Sequence, residues 1–283
     1  MKVLVTGAGG MLAEDLAPCL SQRGYEVYSL AESEMDICDL RRVRSAVSMI
    51  KPQLLINCAA YTDVDGAESN RDLALRVNGL GVKNLALACA EAGCPIVHFS
   101  TDYIFDGKKR GPYGIHDEPH PLNAYGKSKL EGECYLQQLA ARYYLIRTSW
   151  LFGLHGKNFV ETMLKASEKQ HELRAVDYQR GAPTFTQDLS RAVSDLIATG
   201  RCGIYHITNQ GKTSWYGYAG AIMEKAHRDT RVVPITSGEI DRPARRPENS
   251  SLDPYPLKET IGYLLPAWED ALDRYLVQRE VVV

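Results

Sequence analysis

A short apolar run, Val3-Leu4-Val5, passes without a polar linker into Gly7-Ala8-Gly9-Gly10, and a helical pattern carrying Met11, Leu12 and Leu16 inward begins near Gly10. No other feature restricts the fold of this chain as tightly as this order of strand, glycine turn and helix. Gly7 allows the tight turn, Gly10 lets the backbone approach a pyrophosphate, and Ala13 permits close packing of helix on strand. The helix N-terminus then presents oriented N–H groups to an anion. Pro18 conflicts with the pattern and should kink or shorten the helix.

The same alternation continues. After Gly24, Glu26 to Leu30 reads as a strand, Val43 to Ile50 as a helix broken by Pro52, and Leu54-Leu55-Ile56 as a buried strand. Leu73 to Ala92 has helical periodicity ending at Gly93; Ile96 to Phe99 is a strand, Lys127 to Arg142 a helix, and Tyr144 to Arg147 a strand. Strands alternating with helices predict βαβ units around a parallel sheet, an α/β fold of the Rossmann-type, doubly wound kind. The pattern loosens after Trp150, where Pro183, Pro234, Pro243, Pro247, Pro254, Pro256 and Pro266 crowd the chain. Residues 1–150 are expected to form the dinucleotide-binding domain, completed by part of 174–207. Residues 151–283 are expected to be mainly a smaller substrate-binding domain, with the ligand cleft between the two.

A formal net charge of -2 gives no electrostatic reason to expect nucleic acid or an anionic membrane as partner. No apolar run approaches the ~18 residues of a membrane span. The 7 cysteines show no C-x-x-C spacing and no leader precedes the first strand, which argues for a reducing cytoplasm. Cys58, Cys89 and Cys94 are then small buried or semi-buried thiols, and metal-binding cysteines are not expected.

Tyr125 and Lys129 lie about one helical turn apart, so they project from one helix face. A free phenol, with a pKa of about 10, is a weak acid near neutrality; a neighbouring ammonium would lower that value toward what carbonyl reduction needs. Asn57-Cys58-Ala59-Ala60-Tyr61-Thr62 follows the third strand and Ser100-Thr101-Asp102-Tyr103 the fourth. The carboxyl ends of strands are where open α/β sheets bind ligands, so these segments converge with the glycine turn on one crevice. A carboxylate often holds the adenine ribose just beyond the second strand, but Ala31 occupies that place and Glu32 is the nearest acid.

In order along the chain, T-G-x-x-G-x-x-[GA], N-x-A-A-x-T, S-T-D-Y-x-F and Y-G-K-x-K resemble the extended short-chain dehydrogenase/reductase superfamily. Within it, the run Ser100 to Gly107, Pro121-Leu122-Asn123, Arg147 to Trp150, Gly181 to Thr184 and Arg246-Pro247 resemble the dTDP-4-dehydrorhamnose reductase family over nearly the whole chain. That resemblance implies reduction of the 4-keto group of a nucleotide sugar, dTDP-4-dehydro-L-rhamnose, by NADPH or NADH. It implies Tyr125 as proton donor, Lys129 as the ribose-binding lysine that lowers the phenol pKa, and Thr101 as the hydroxyl that holds the substrate carbonyl. Gly7, Gly10, Met11, Leu12, Asp36, Ile37, Ala60, Tyr61 and Thr62, with Tyr125 and Lys129, match cofactor positions. Asp102 and Trp150 match positions near the sugar, and Asn158 and Arg246 positions near the nucleotide diphosphate.

The chain departs from the family pattern at Ala31, which leaves NADPH at least as acceptable as NADH, and at Tyr178 and Arg180 around Gln179. Some bacterial relatives dimerise around magnesium held by acidic residues. Asp15 stands at one such position, but Gln187 occupies another and the tail ends Val281-Val282-Val283, so no metal site is expected; a homodimer stays open. Two other readings fit the same motifs. One is a cofactor-binding regulatory subunit like that of methionine adenosyltransferase; the other is a reductase or epimerase of another nucleotide sugar.

Overall fold

The computed structural model describes residues 1–236, 239 and 242–282. Strand β1 (Lys2–Thr6) pairs with β2 (Glu26–Leu30) on one side and β3 (Leu54–Asn57) on the other. Beyond β3 lie β4 (Ile96–Thr101), β5 (Tyr143–Thr148) and β10 (Gly203–His206), which complete a 6-stranded sheet in which every pairing is parallel. The chain therefore leaves β1 in both directions, to β2 and later to β3, and the ligand crevice of an open sheet lies above the carboxyl ends at such a reversal.

Both faces of the sheet are covered, as alternating side chains on buried parallel strands require. Val3, Val5, Ile56, Val97, Phe99 and Ile146 pack against Leu12, Leu16 and Leu20 of α1 (Met11–Gln22) and Leu189, Val193 and Leu196 of α8 (Thr186–Thr199). Their neighbours Leu4, Leu55, Ile96 and Leu145 face the other way, onto Val43 and Val47 of α2 (Leu40–Ile50), Leu85 and Cys89 of α5 (Val82–Ala92), and Leu136 of α6 (Ala124–Leu139). This is the doubly wound architecture expected from the alternation.

Local chemistry moved several boundaries. Helix α1 is not shortened at Pro18: both Pro18 and Glu14, whose carbonyl loses its helical donor, are exposed, so water can take that carbonyl while Leu16 and Leu20 anchor the inner face. Helix α2 starts at Leu40, before the expected Val43, because the Asp39 carboxylate accepts the Arg41 and Arg42 N–H groups at 2.9 and 3.4 Å. Helix α6 likewise starts at Ala124, where Asn123 Oδ1 accepts the Gly126 N–H at 2.7 Å and places Tyr125 in the first turn. The segment expected as one helix from Leu73 to Ala92 is preceded by α3 (Gly66–Ser69), opens with α4 (Arg71–Leu75), and passes through a π turn over Arg76–Gly81 before α5.

The rest of the chain builds from short pieces. Strand β7 (Glu172–Val176) pairs with β12 (Arg231–Ile235), β6 (Leu151–Phe152) with β9 (Thr184–Phe185), and β8 (Arg180–Gly181) with β11 (Thr213–Ser214). Helices α7 (Phe159–Ser167), α9 (Trp215–Lys225) and α11 (Trp268–Val282) close over Phe152, Phe185, Tyr218, Trp268 and Tyr275. These aromatic side chains bury a large area from few residues, which is how strands too short to make a sheet become a second core. Helix α10 (Leu257–Ile261) returns Leu257 to the first core. Among the described residues no helix is long and apolar enough to cross a membrane.

Candidate active site

Above the carboxyl ends of β1 and β3 the backbone forms a cradle. Gly7 has φ 73, and a methyl group there would stand 2.7 Å from the Ala59 nitrogen, so the turn tolerates no side chain. Gly10 caps α1 without any side-chain acceptor, which leaves the first-turn N–H groups of the helix facing the crevice. The Gly9 N–H donates to Glu14 Oε1 at 3.1 Å, so an anionic oxygen already rests on this loop. Asn57 Oδ1 accepts both the Thr6 hydroxyl (2.6 Å) and the Ala59 N–H (3.1 Å), tying the two strand ends together. The donor set, the missing side chains and the dipole of α1 fit a dinucleotide pyrophosphate.

The cofactor positions expected from sequence divide by what they present. Leu12 and Ile37 are buried in the two cores, so only their backbones face a ligand. Met11 is half-buried and packs beside Gly153. Ala60 and Tyr61 are half-buried and Thr62 is exposed. Asp36 is half-buried and its Oδ1 accepts the Cys38 N–H at 2.8 Å. One residue the sequence reading missed is Asn78, in the π turn. Its amide accepts the Tyr61 N–H (2.9 Å) and donates to the Tyr61 carbonyl and the Ser128 hydroxyl (both 3.0 Å), clamping the loop after β3 to α6. The Asn-Gly pair inside a helical pattern was its signal.

The chain turns at once after β2. Ala31 carbonyl accepts the Glu34 and Met35 N–H groups at 3.0 and 2.9 Å, and the Ala31 N–H donates to Glu34 Oε2 at 2.9 Å. Strand alternation therefore does not govern where Glu32 points; its side chain is exposed on the turn.

Tyr125 and Lys129 share one face of α6, directed at the end of β4, where Thr101 and Asp102 stand. Lys129 is 3% exposed and its Nζ donates to the Phe99 carbonyl at 2.5 Å. Burial lowers its pKa to about 8, against the pull of Glu133 and Cys58. The Tyr125 ring meets the Tyr103 ring edge-on, centroids 6.2 Å apart. Burial pushes the Tyr125 phenol up to about 12, opposed by the Thr101 hydroxyl and assisted by Asp102. Desolvation dominates the phenol here, and the lysine's hydrogen bond goes to the Phe99 carbonyl of the strand. Thr101 Oγ1 donates to Asp102 Oδ1 at 3.0 Å and accepts the Tyr103 N–H at 3.1 Å. Burial holds the Asp102 carboxyl up to about 7, against the nearby Ser250 and Thr101 hydroxyls.

Facing this edge is Trp150, with φ 46, a left-handed conformation unusual for a bulky residue. Its ring stacks on Trp215 at 3.6 Å with an interplanar angle of 8°. Two diphosphate candidates are placed differently from expectation. Asn158 caps α7, its Oδ1 accepting the Glu161 N–H (3.0 Å) and its Nδ2 donating to the Gly153 carbonyl (2.8 Å), so its amide serves the fold. Arg246 is not a free fork: its terminal nitrogens donate to Asp65 at 2.9 and 2.7 Å, which a diphosphate would have to share. Asp15 accepts the Thr186 hydroxyl and Gln187 donates to Gln278 Oε1 at 2.8 Å. Among the described residues, no three His, Cys, Asp or Glu side chains gather as a metal ligand set.

Comparison with known proteins places this geometry in context. The RmlD substrate binding domain family matches residues 1–281. The spore coat polysaccharide biosynthesis protein SpsK of Bacillus subtilis is 43% identical over 278 residues, covering 98% of each chain. A crystal structure of a dTDP-4-dehydrorhamnose reductase from Clostridium acetobutylicum superimposes with a TM-score of 0.96 at 40% identity, covering 99% of this chain and 100% of that one. A crystal structure of the dTDP-4-dehydrorhamnose reductase from Bacillus anthracis, in complex with NADP, superimposes with a TM-score of 0.95 at 36% identity, covering 98% and 99%.

Proposed function

The chain belongs to the RmlD substrate binding domain family, and from that premise we propose that it reduces the 4-keto group of dTDP-4-dehydro-L-rhamnose to give dTDP-L-rhamnose. The observation that carries this reading is the convergence of Tyr125, Thr101 and Lys129 at the end of β4, beside a cradle that fits a dinucleotide. Residues 1–150, completed by part of 174–207, would hold the cofactor, and 151–283 most of the sugar side. The reduced nicotinamide, when bound, supplies the hydride that reaches sugar C4. The glycine turn and the N-terminus of α1 would hold its pyrophosphate, with Tyr61 fixed by Asn78 beside it.

The remaining steps belong to the protein. Tyr125 donates its phenolic proton to the C4 oxygen as negative charge builds there. At about 12 its pKa keeps the proton in place at neutrality while leaving it more acidic than an alkoxide demands. The Thr101 hydroxyl orients that oxygen, and Lys129, cationic below about 8, stabilises the phenolate left behind. Since these interactions strengthen only as the alkoxide forms, they lower the barrier and not just the ground state. We place the reaction in the cytoplasm, a reading supported by seven cysteines that are all free thiols. Incubation with freshly prepared dTDP-4-dehydro-L-rhamnose should consume NADPH and yield dTDP-L-rhamnose. Retention of NADPH in that assay would overturn the proposal.

Cofactor preference follows from Ala31. An acid there would bind the ribose hydroxyls and repel the additional phosphate of NADPH, and alanine does neither. The parent should accept NADPH at least as well as NADH, and Ala31→Asp should move the preference toward NADH by ~1–3 kcal/mol. The ratio of kcat/KM for the two cofactors measures this. A strong parental NADH preference that Glu32→Ala abolishes would assign the ribose to Glu32 instead.

A further inference from the structure

Buried polar atoms without a protein partner collect around the proposed sugar site. Among the described residues, Asp102 Oδ2, Trp150 Nε1 and Gln179 Oε1 are shielded from solvent and receive or donate no hydrogen bond. Ser100 Oγ and Thr148 Oγ1 share that state at the ends of β4 and β5, but a hydroxyl carries its own rotatable proton. A carboxamide oxygen can only accept, and burying it unpaired is unfavourable. Gln179 is 5% exposed, so its orphaned acceptor is not a surface group.

Its surroundings fix where it acts. Gln179 leads into β8, and a methyl group at Gly181 in that strand would come 2.5 Å from the Trp150 ring. On its other edge β8 is laced to the 248–250 segment: the Arg180 N–H donates to the Glu248 carbonyl at 2.7 Å and the Ser250 N–H to the Arg180 carbonyl at 2.8 Å. The Ser250 hydroxyl donates to the Arg180 carbonyl at 3.3 Å and lies close to the Asp102 carboxyl. Gln179 thus belongs to the short path of backbone that connects Trp150 to Asp102, while Arg180 beside it has a half-exposed side chain.

We propose that Gln179 is a specificity residue that accepts a hydrogen bond from a ring hydroxyl of the sugar. This rests on the reading above that a 4-keto-6-deoxyhexose nucleotide is the substrate. In such a sugar C1 carries the diphosphate, C4 is the carbonyl and C6 is a methyl group, so hydroxyls remain only at C2 and C3. Two hydroxyl donors meet two orphaned acceptors, Gln179 Oε1 and Asp102 Oδ2. The Trp150 indole N–H then has a sugar oxygen to donate to. Gln179 would thereby make the site reject sugars that are deoxygenated at its partner position, whatever their nucleotide.

Calorimetric binding of dTDP-L-rhamnose, of its 2-deoxy and 3-deoxy analogues and of dTDP alone tests this on the NADP-loaded full chain. Wild type should bind one deoxy analogue about 10- to 100-fold more weakly than the parent sugar nucleotide. Gln179→Met should lose the same factor for dTDP-L-rhamnose, no longer distinguish that analogue, and keep its affinity for dTDP and NADPH. Gln179→Glu, which retains an acceptor of the same shape, should recover part of the discrimination. Wild type that binds both deoxy analogues as tightly as dTDP-L-rhamnose overturns the assignment without any variant having to fold. Undiminished discrimination in Gln179→Met overturns it as well. If wild type binds dTDP-L-rhamnose no better than dTDP and reduces no 4-keto sugar nucleotide, it is the substrate reading that fails.

Discussion

Tyr125→Phe is expected to lower kcat by at least ~10²-fold, the scale of a lost general acid, while NADPH affinity stays at the parental value. The substitution keeps the ring, so its edge-on contact with Tyr103 at 6.2 Å and the start of α6 under the Asn123 cap are retained. What disappears is the phenolic proton proposed to reach the C4 oxygen, beside the Thr101 hydroxyl. Thr101 cannot take over as the acid, because an aliphatic hydroxyl is far less acidic than a phenol and can orient the oxygen without giving up its proton. Steady-state kinetics with saturating cofactor read the loss, and fluorescence titration of NADPH confirms that the cradle is intact. Near-parental turnover in this variant would falsify the assignment of the acid.

The part of this machinery set by local order was readable from the sequence. The turn at Gly7 to Gly10, the strands that follow it and the shared face of Tyr125 and Lys129 depend on residues close in the chain, and the structure keeps all of them. What escaped was set by partners far away. Arg246 pairs with Asp65 across 181 positions, and the acidity of Tyr125 depends on how β4 and α6 bury it. No periodicity reports either. The π turn escaped for another reason: Arg76–Gly81 inserts into a helix whose apolar spacing on both sides still reads as continuous. Asn158 was legible in a second role, since an asparagine three positions before Glu161 is a helix-start signature, and its Oδ1 accepts the Glu161 N–H.

The largest stability effect is expected from a charge buried behind the site. Glu133 is fully buried and meets Arg147 through three hydrogen bonds, Nε to Oε1 at 3.1 Å and to Oε2 at 3.3 Å, and Nη2 to Oε2 at 2.7 Å. Arg147 is 3% exposed, lies over the Phe105 ring at 5.4 Å, and among the described residues its guanidinium has the Ile115 carbonyl and His206 Nε2, each at 3.4 Å, as further polar partners. His206 cannot share the positive charge, because burial and Arg147 push its pKa down to about 3. One helical turn before Glu133 stands Lys129, whose charged form that carboxylate also favours. Glu133→Gln keeps the shape and removes the buried anion that faces both cations. Breaking such a pair from one side costs about 3–5 kcal/mol, since the partner's charge stays buried without compensation. Urea denaturation at pH 7 should show that loss with an unchanged m-value. Replacing both partners, Glu133→Leu with Arg147→Met, should restore most of it, because two desolvated charges give way to apolar contact. A single Glu133→Gln variant as stable as the parent would mean that the Ile115 carbonyl and the Phe105 face suffice for the guanidinium. In that event the ion pair would serve only to hold Lys129 charged, and the variant's defect would appear in turnover alone.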